Sequence, residues 1–240
     1  MSLLLLRELT AGHNGVPVVR DLDLEVHPGE IVALLGPNGA GKTTVLETAG
    51  GVLQPLGGTV RVEGQPVRGV QRAAALGVSY VREGRGLFTQ LTVRENLQLR
   101  THSRRSARRL LPRYPVLEAL ADRRVGLLSG GEQQLLAVAC ALSVEPRILL
   151  IDEMTMGLAP VAVKQLLALV REAADQGVAV LFVEQHVQDA LRLADRACVL
   201  RHGELVAQGT TEQLAEQLEA LHDSYFDMSL PHGRPATPPA

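Results

Sequence analysis

Residues 36–43, Gly36-Pro37-Asn38-Gly39-Ala40-Gly41-Lys42-Thr43, constrain this chain more than any other stretch. They fit G-x-x-x-x-G-K-[ST]. Its glycines let successive backbone N–H groups point inward, and the helix that follows adds partial positive charge at its start. Such a loop needs a strand before it and a helix after it. Both are legible here: residues 31–35 form a short continuous apolar run, as in a strand covered on both faces, and residues 43–48 begin a helix. In that setting Lys42 reaches the β- and γ-phosphates of a nucleotide, and the Thr43 hydroxyl is placed to ligate Mg2+. Thr44 completes the phosphate seat.

Two further motifs lie downstream. Leu128-Ser129-Gly130-Gly131-Glu132-Gln133-Gln134 contains S-x-x-E, a capping pattern that starts a helix, and Gly130 and Gly131 leave its first N–H groups bare. That makes a second phosphate-type seat, although an ordinary capped helix has the same pattern. Behind it, Ile148-Leu149-Leu150-Ile151 runs into Asp152-Glu153. Carboxylates that end a buried strand sit where α/β ligand sites gather. Asp152 is placed to hold Mg2+, often through water, and Glu153 to polarise an attacking water. Neighbours on a strand point to opposite faces, so both reach one site only if the chain turns at the strand end.

The remaining pattern predicts an α/β protein. Leu22, Leu24 and Val26 alternate with Asp21, Asp23 and Glu25 up to the turn at His27-Pro28-Gly29. Strands are expected at residues 57–62, 77–81, 147–151 and 178–183, and helices near 160–176 and, behind the Thr92-x-x-Glu95 capping box, over residues 93–124. A hairpin turn falls at Arg201-His202-Gly203-Glu204. The Pro-rich tail at residues 231–240 reads as disordered. A net charge of −2, no Trp and 2% aromatic residues exclude a general attraction to nucleic acid and a stacking platform for bases. The leucines at residues 3–6 lack the basic segment and length of a signal peptide, and no run approaches the ~20 apolar residues that span a bilayer. Cys140 and Cys198 lack metal-type spacing.

The 128–134 motif resembles the signature of ABC-type ATPases, and its place between the other two motifs matches that family. The resemblance runs from about residue 3 to residue 221. Within the family, Tyr80-Val81-Arg82-Glu83-Gly84-Arg85 with Phe88, Leu91-Thr92-Val93, Glu95-Asn96-Leu97, Gly157-Leu158-Ala159-Pro160 and Val183-Glu184-Gln185 are similar to the ATPase subunits of bacterial branched-chain amino-acid importers. The resemblance implies a P-loop NTPase of ABC-ATPase fold: a mixed core sheet, an N-terminal antiparallel β part and a helical subdomain. One ATP-binding domain is expected over residues 1–225, its helical subdomain about 93–145, and a tail over 226–240. It further implies ATP and Mg2+ as cofactors, and a head-to-tail dimer, with itself or a second ABC ATPase subunit, in which each phosphate loop faces Ser129, Gly130, Gly131 and Glu132 of the other copy. Membrane permease subunits, and indirectly a solute-binding protein, complete the implied machine on the cytoplasmic face of the membrane. Nucleic acid is not among its partners.

Several positions depart from the family pattern. His13 stands where an aromatic ring usually stacks on adenine; a solvated loop histidine is the alternative. Glu83 replaces the usual Gln, so it accepts hydrogen bonds only: it can approach Mg2+, or face the membrane subunit. Ungapped alignment on Ala190 and Ala194-Asp195-Arg196 puts Gln185 at the switch-histidine position, with His186 one place later. Met154-Thr155-Met156 replaces Pro-Ser-x. The Arg-rich run at residues 104–109 reads as a solvated helix face, a lipid-headgroup contact or a partner contact. Two other functions stay open: a nucleotide-binding regulatory subunit with weak hydrolysis, and an ABC-type ATPase acting on nucleic acid or ribosomes.

Overall fold

The structure is a computed structural model that describes residues 2–101, 110–155, 157–184 and 187–214. Its centre is a six-stranded sheet in the order β10-β9-β3-β8-β7-β6. The strands are β3 (Ile31–Leu35), β6 (Val78–Val81), β7 (Ile148–Ile151), β8 (Ala179–Glu184), β9 (Arg196–Arg201) and β10 (Glu204–Thr210). All neighbours pair in parallel except the β9–β10 hairpin, so the sheet is mixed.

Period-two geometry explains why β3, β7 and β8 read as unbroken apolar runs. Ile31, Ala33, Leu35, Leu149, Ile151, Val180 and Phe182 enter one core cluster, while Val32, Leu34, Ile148, Leu150, Leu181 and Val183 enter another. Each face is covered, so both sets must be apolar. Burying each Leu, Ile, Val or Phe is worth about 1.5–3 kcal/mol.

The second cluster is closed by an antiparallel sheet, β2-β1-β4-β5: β1 (Leu4–His13), β2 (Val16–Val26), β4 (Gly57–Val62) and β5 (Gln65–Pro66). α1 (Lys42–Ala49) packs there as well, and α2 (Val70–Ala75) contributes Ala73. The first cluster is closed by α3 (Val93–Thr101), α4 (Pro115–Ala119), α5 (Gly130–Leu142), α6 (Pro160–Asp175) and α7 (Val187–Leu193).

Two expectations need correction. Residues 93–124 are not one helical run: after α3 and residues outside the description come a 3-10 turn at Leu111–Arg113 and the short α4, with Pro at the start of each. Pro112 and Pro115 have no N–H to continue a helix, so each restarts the chain. The expected strand at residues 21–26 is only the second half of β2. Its first half and all of β1 lack clean alternation because Glu8 and Asp21 adopt φ of 48° at register shifts of the β1–β2 ladder. The Arg-rich run and the Pro-rich tail lie outside the described residues. Among the described residues no helix is long and apolar enough to cross a membrane.

Candidate functional site

Parallel pairing brings the ends of β3, β8, β7 and β6 to one edge of the sheet. Leu35 lies opposite Glu184, Phe182 opposite Ile151, and Ile151 opposite Val81. The phosphate loop, Glu184, Asp152-Glu153 and the Glu83 loop therefore emerge side by side, at the edge where open α/β sheets bind ligands.

The phosphate loop leaves β3 at Gly36 and enters α1 through Gly41. A Cβ at Gly36 would lie 2.2 Å from the Leu200 carbonyl oxygen, and one at Gly41, where φ is 103°, would lie 2.7 Å from Val19. Neither position admits a side chain without displacement of its neighbours. α1 has no side-chain cap, so no side chain of its own occupies its leading N–H groups. Pro37, Asn38 and Gly39 are exposed and Ala40 is buried. Buried Lys42 donates to the carbonyls of Gly36 at 2.7 Å and Pro37 at 2.9 Å, which spans its ammonium across the loop. Burial lowers the Lys42 pKa, while Glu153, Asp152 and Glu184 oppose that shift.

Thr43 donates its hydroxyl proton to Asp152 Oδ1 at 3.3 Å, and Tyr80 donates to Asp152 Oδ2 at 3.4 Å. The Asp152 backbone N–H binds the Val81 carbonyl at 2.9 Å, which extends the β6–β7 pairing to the site. Burial raises the Asp152 pKa, and the Thr43 hydroxyl works against it; Glu153 and Glu83 raise it further, while Tyr80 lowers it. Glu153 has φ of 48°, so the chain turns there and both carboxylates act on Lys42. This turn answers the geometric objection that strand neighbours face opposite ways. Burial, and Asp152 beside it, push the Tyr80 phenol well above its ordinary range, so it remains a donor.

Among the described residues no three His, Cys, Asp or Glu side chains gather as a metal cage. A Thr43 hydroxyl beside an Asp152 carboxylate is instead a pair of hard oxygen donors. That set suits Mg2+, which takes one or two protein ligands and completes its shell with phosphate and water.

The other expected residues fall in three places. His13 is exposed, with Nε2 3.4 Å from the hydroxyl of Thr44 in α1. Ser129, Gly130, Gly131 and Glu132 form the start of α5. There Glu132 N–H reaches Ser129 Oγ at 3.3 Å and Ser129 N–H reaches Glu132 Oε2 at 2.7 Å, a complete capping box. Glu83 is exposed on the loop after β6. Gln185 and His186 lie outside the described residues.

Glu184 is a further residue of this edge, one whose role its own motif does not declare. It is 1% exposed and its Oε2 accepts the Thr155 N–H at 3.0 Å and the Thr155 hydroxyl at 2.6 Å, fixing the segment just after Glu153. A carboxylate ending the apolar run 178–183 was its signal, the same signal that marked Asp152.

The chain matches the family model described as ABC transporter over residues 19–156. It is 37% identical over 222 residues to the high-affinity branched-chain amino acid transport ATP-binding protein BraG of Pseudomonas aeruginosa, covering 89% of this chain and 95% of that protein. It is 34% identical to the ribose import ATP-binding protein RbsA 1 of Rubrobacter xylanophilus over 90% of this chain, and spans 46% of that longer protein. Identity to the Nod factor export ATP-binding protein I of Neorhizobium galegae is 36% over 89% of this chain and 63% of that protein. A solved ATP-binding subunit of an ABC transporter superposes with a TM-score of 0.80 at 29% identity, covering 94% of this chain and 97% of that one.

Proposed function

The chain belongs to the ABC transporter family as an ATP hydrolase that drives transport, and from that premise we propose that it energises a membrane importer for branched-chain or other small amino acids. The amino-acid assignment rests on the 37% identity to BraG over 89% of the chain, together with the 80–85 and 183–185 motifs. Ribose import and Nod factor export among the relatives make the solute the finer part of the reading. One ATP-binding domain over residues 1–225, held on the cytoplasmic face by permease subunits and served by a solute-binding protein, completes the assembly.

The observation that carries the chemistry is the convergence of Thr43, Asp152, Glu153 and Lys42 at one sheet edge. Backbone N–H groups of residues 36–43 cradle the phosphates, and Lys42 swings from the loop carbonyls to the β- and γ-oxygens. Thr43 and Asp152, with Glu83 beside them, would hold Mg2+, which would supply charge neutralisation at the phosphates. Glu153 takes the proton of the attacking water, and Gln185, or His186, donates to the γ-phosphate. His13 stacks on adenine. Ser129, Gly130, Gly131 and Glu132 of a second ABC subunit close over the nucleotide, and hydrolysis reopens the pair.

Steady-state hydrolysis by wild type and Glu153→Gln tests the chemistry; equal, slow rates would overturn it. Capture from the native membrane tests the transport role, which requires a multi-spanning partner. Uptake assays on vesicles carrying that complex, with leucine and ribose compared, test the solute.

A further inference from the structure

One side chain joins the Glu83 loop to α5. Arg85 donates from Nη1 to Gln133 Oε1 at 2.8 Å and from Nε to Gln134 Oε1 at 3.0 Å. Its φ is 61°, in a tight turn where Arg85 N–H binds the Arg82 carbonyl at 2.8 Å. A bulky residue holds such a conformation only when its surroundings fix it. Two features mark the fork as setting the arrangement at this end of α5, beside the packing of the helix on the core. Gln134 is 3% exposed and its Nε2 has no hydrogen-bond partner among the described residues, so the amide is turned to keep its oxygen on Arg85. Gln133 uses its other end to bind the carbonyls of Val125 and Leu128, both at 3.2 Å, which ties the fork to the turn leading into Ser129.

Electrostatics points the same way. Among the described residues no carboxylate pairs with Arg85, and its Nη2 lies 3.6 Å from where a Cβ on Gly130 would be. A cation at a helix N-terminus opposes the helix dipole, so helix stability does not account for it. A mechanical linkage does: planar, bidentate guanidinium bonding fixes direction in a way an ammonium cannot.

We propose that Arg85 is a positioning residue that fixes the angle of the α5 N-terminus to the loop carrying Glu83, so that a phosphate arriving beside Glu83 re-aims Ser129, Gly130 and Gly131. The inference rests on the reading of residues 129–131 as a phosphate seat. Arg85 itself touches neither nucleotide nor water in this scheme.

Hydrogen exchange of the full chain with and without MgATP tests it, read on segments 82–88 and 129–135. In wild type both segments change on ATP addition. In Arg85→Ala, segment 82–88 still changes, segment 129–135 loses its response by about fivefold or more, and ATP affinity stays within about twofold. Arg85→Lys, which keeps the charge without the fork, behaves like Arg85→Ala and decides the matter if the alanine variant does not fold. A wild-type response of segment 129–135 in either variant, or no response of either segment in wild type, overturns the proposal. Coupled exchange with hydrolysis indifferent to Glu153→Gln would instead count against the role given to Glu153 and leave Arg85 standing.

Discussion

The chain starts two helices with glycine-rich turns, and it finishes them differently. α1 has no side-chain cap and enters through Gly41 in a left-handed conformation, with its own Lys42 spread over the loop carbonyls. α5 is capped by its own Ser129 and Glu132, with Arg85 fastened alongside. The first is a seat whose cation and hydroxyl, Lys42 and Thr43, come from α1 itself and whose carboxylates come from the ends of the neighbouring strands β7 and β8. Among the described residues the second has no metal-binding cluster and no acidic group in its first turn beyond its cap, and its start offers two glycine N–H groups without an intrahelical partner. A helix start that carries only part of a phosphate site is explained if the rest arrives on a second subunit. Under the proposed function, binding is then the work of one copy of the chain, and turnover that of two ABC subunits.

The separation breaks most visibly at Glu153. Glu153→Gln is expected to cut hydrolysis by about 100-fold or more, the usual worth of a positioned base, while nucleotide binding persists. Loss of both together in a phosphate-release and binding assay would merge the two functions again. Next in size is Ser129→Arg, which fills the α5 seat: hydrolysis falls about tenfold or more, with single-chain ATP affinity unchanged. Ser129→Ala is the control for the cap itself, with a stability loss of about 1 kcal/mol in chemical denaturation.

Asp152 sharpens the α1 side through pH. Burial raises its pKa in the fold above the unfolded value, so the folded chain binds the extra proton. Its contribution to stability is full below the ordinary carboxylate range and is lost as pH rises through the raised value. Asp152→Asn lacks that loss. Thermal unfolding should show the variant gaining on wild type at neutral pH, with the gain vanishing in acid. A constant difference across pH would contradict the burial argument. The smallest effect belongs to His13→Tyr, expected to tighten ATP binding about three- to fivefold through a larger stacking face.

What the sequence made legible follows contact range. Residues 36–43 and 152–153 are contiguous motifs beside apolar runs, so their place at strand ends could be read locally. The capping boxes at Thr92 and Ser129 were legible for the same reason and are present. The Thr155–Glu184 bonds and the Arg85 fork were not, because they depend on β8 lying between β3 and β7 and on α5 packing beside the β6 loop. Strand order is a long-range property that no local spacing encodes. β1 escaped for another reason: the left-handed turn at Glu8 shifts its register and erases the alternation that identifies a strand.

The central claim is that the α5 seat serves a nucleotide bound on another copy. Light scattering on Glu153→Gln tests it most directly, with MgATP added at concentrations that saturate binding. The mass should roughly double with ATP and return to that of one chain when Ser129→Arg is added to the same background, with ATP still bound. Saturated binding with an unchanged mass, or doubling that ignores Ser129→Arg, would contradict it.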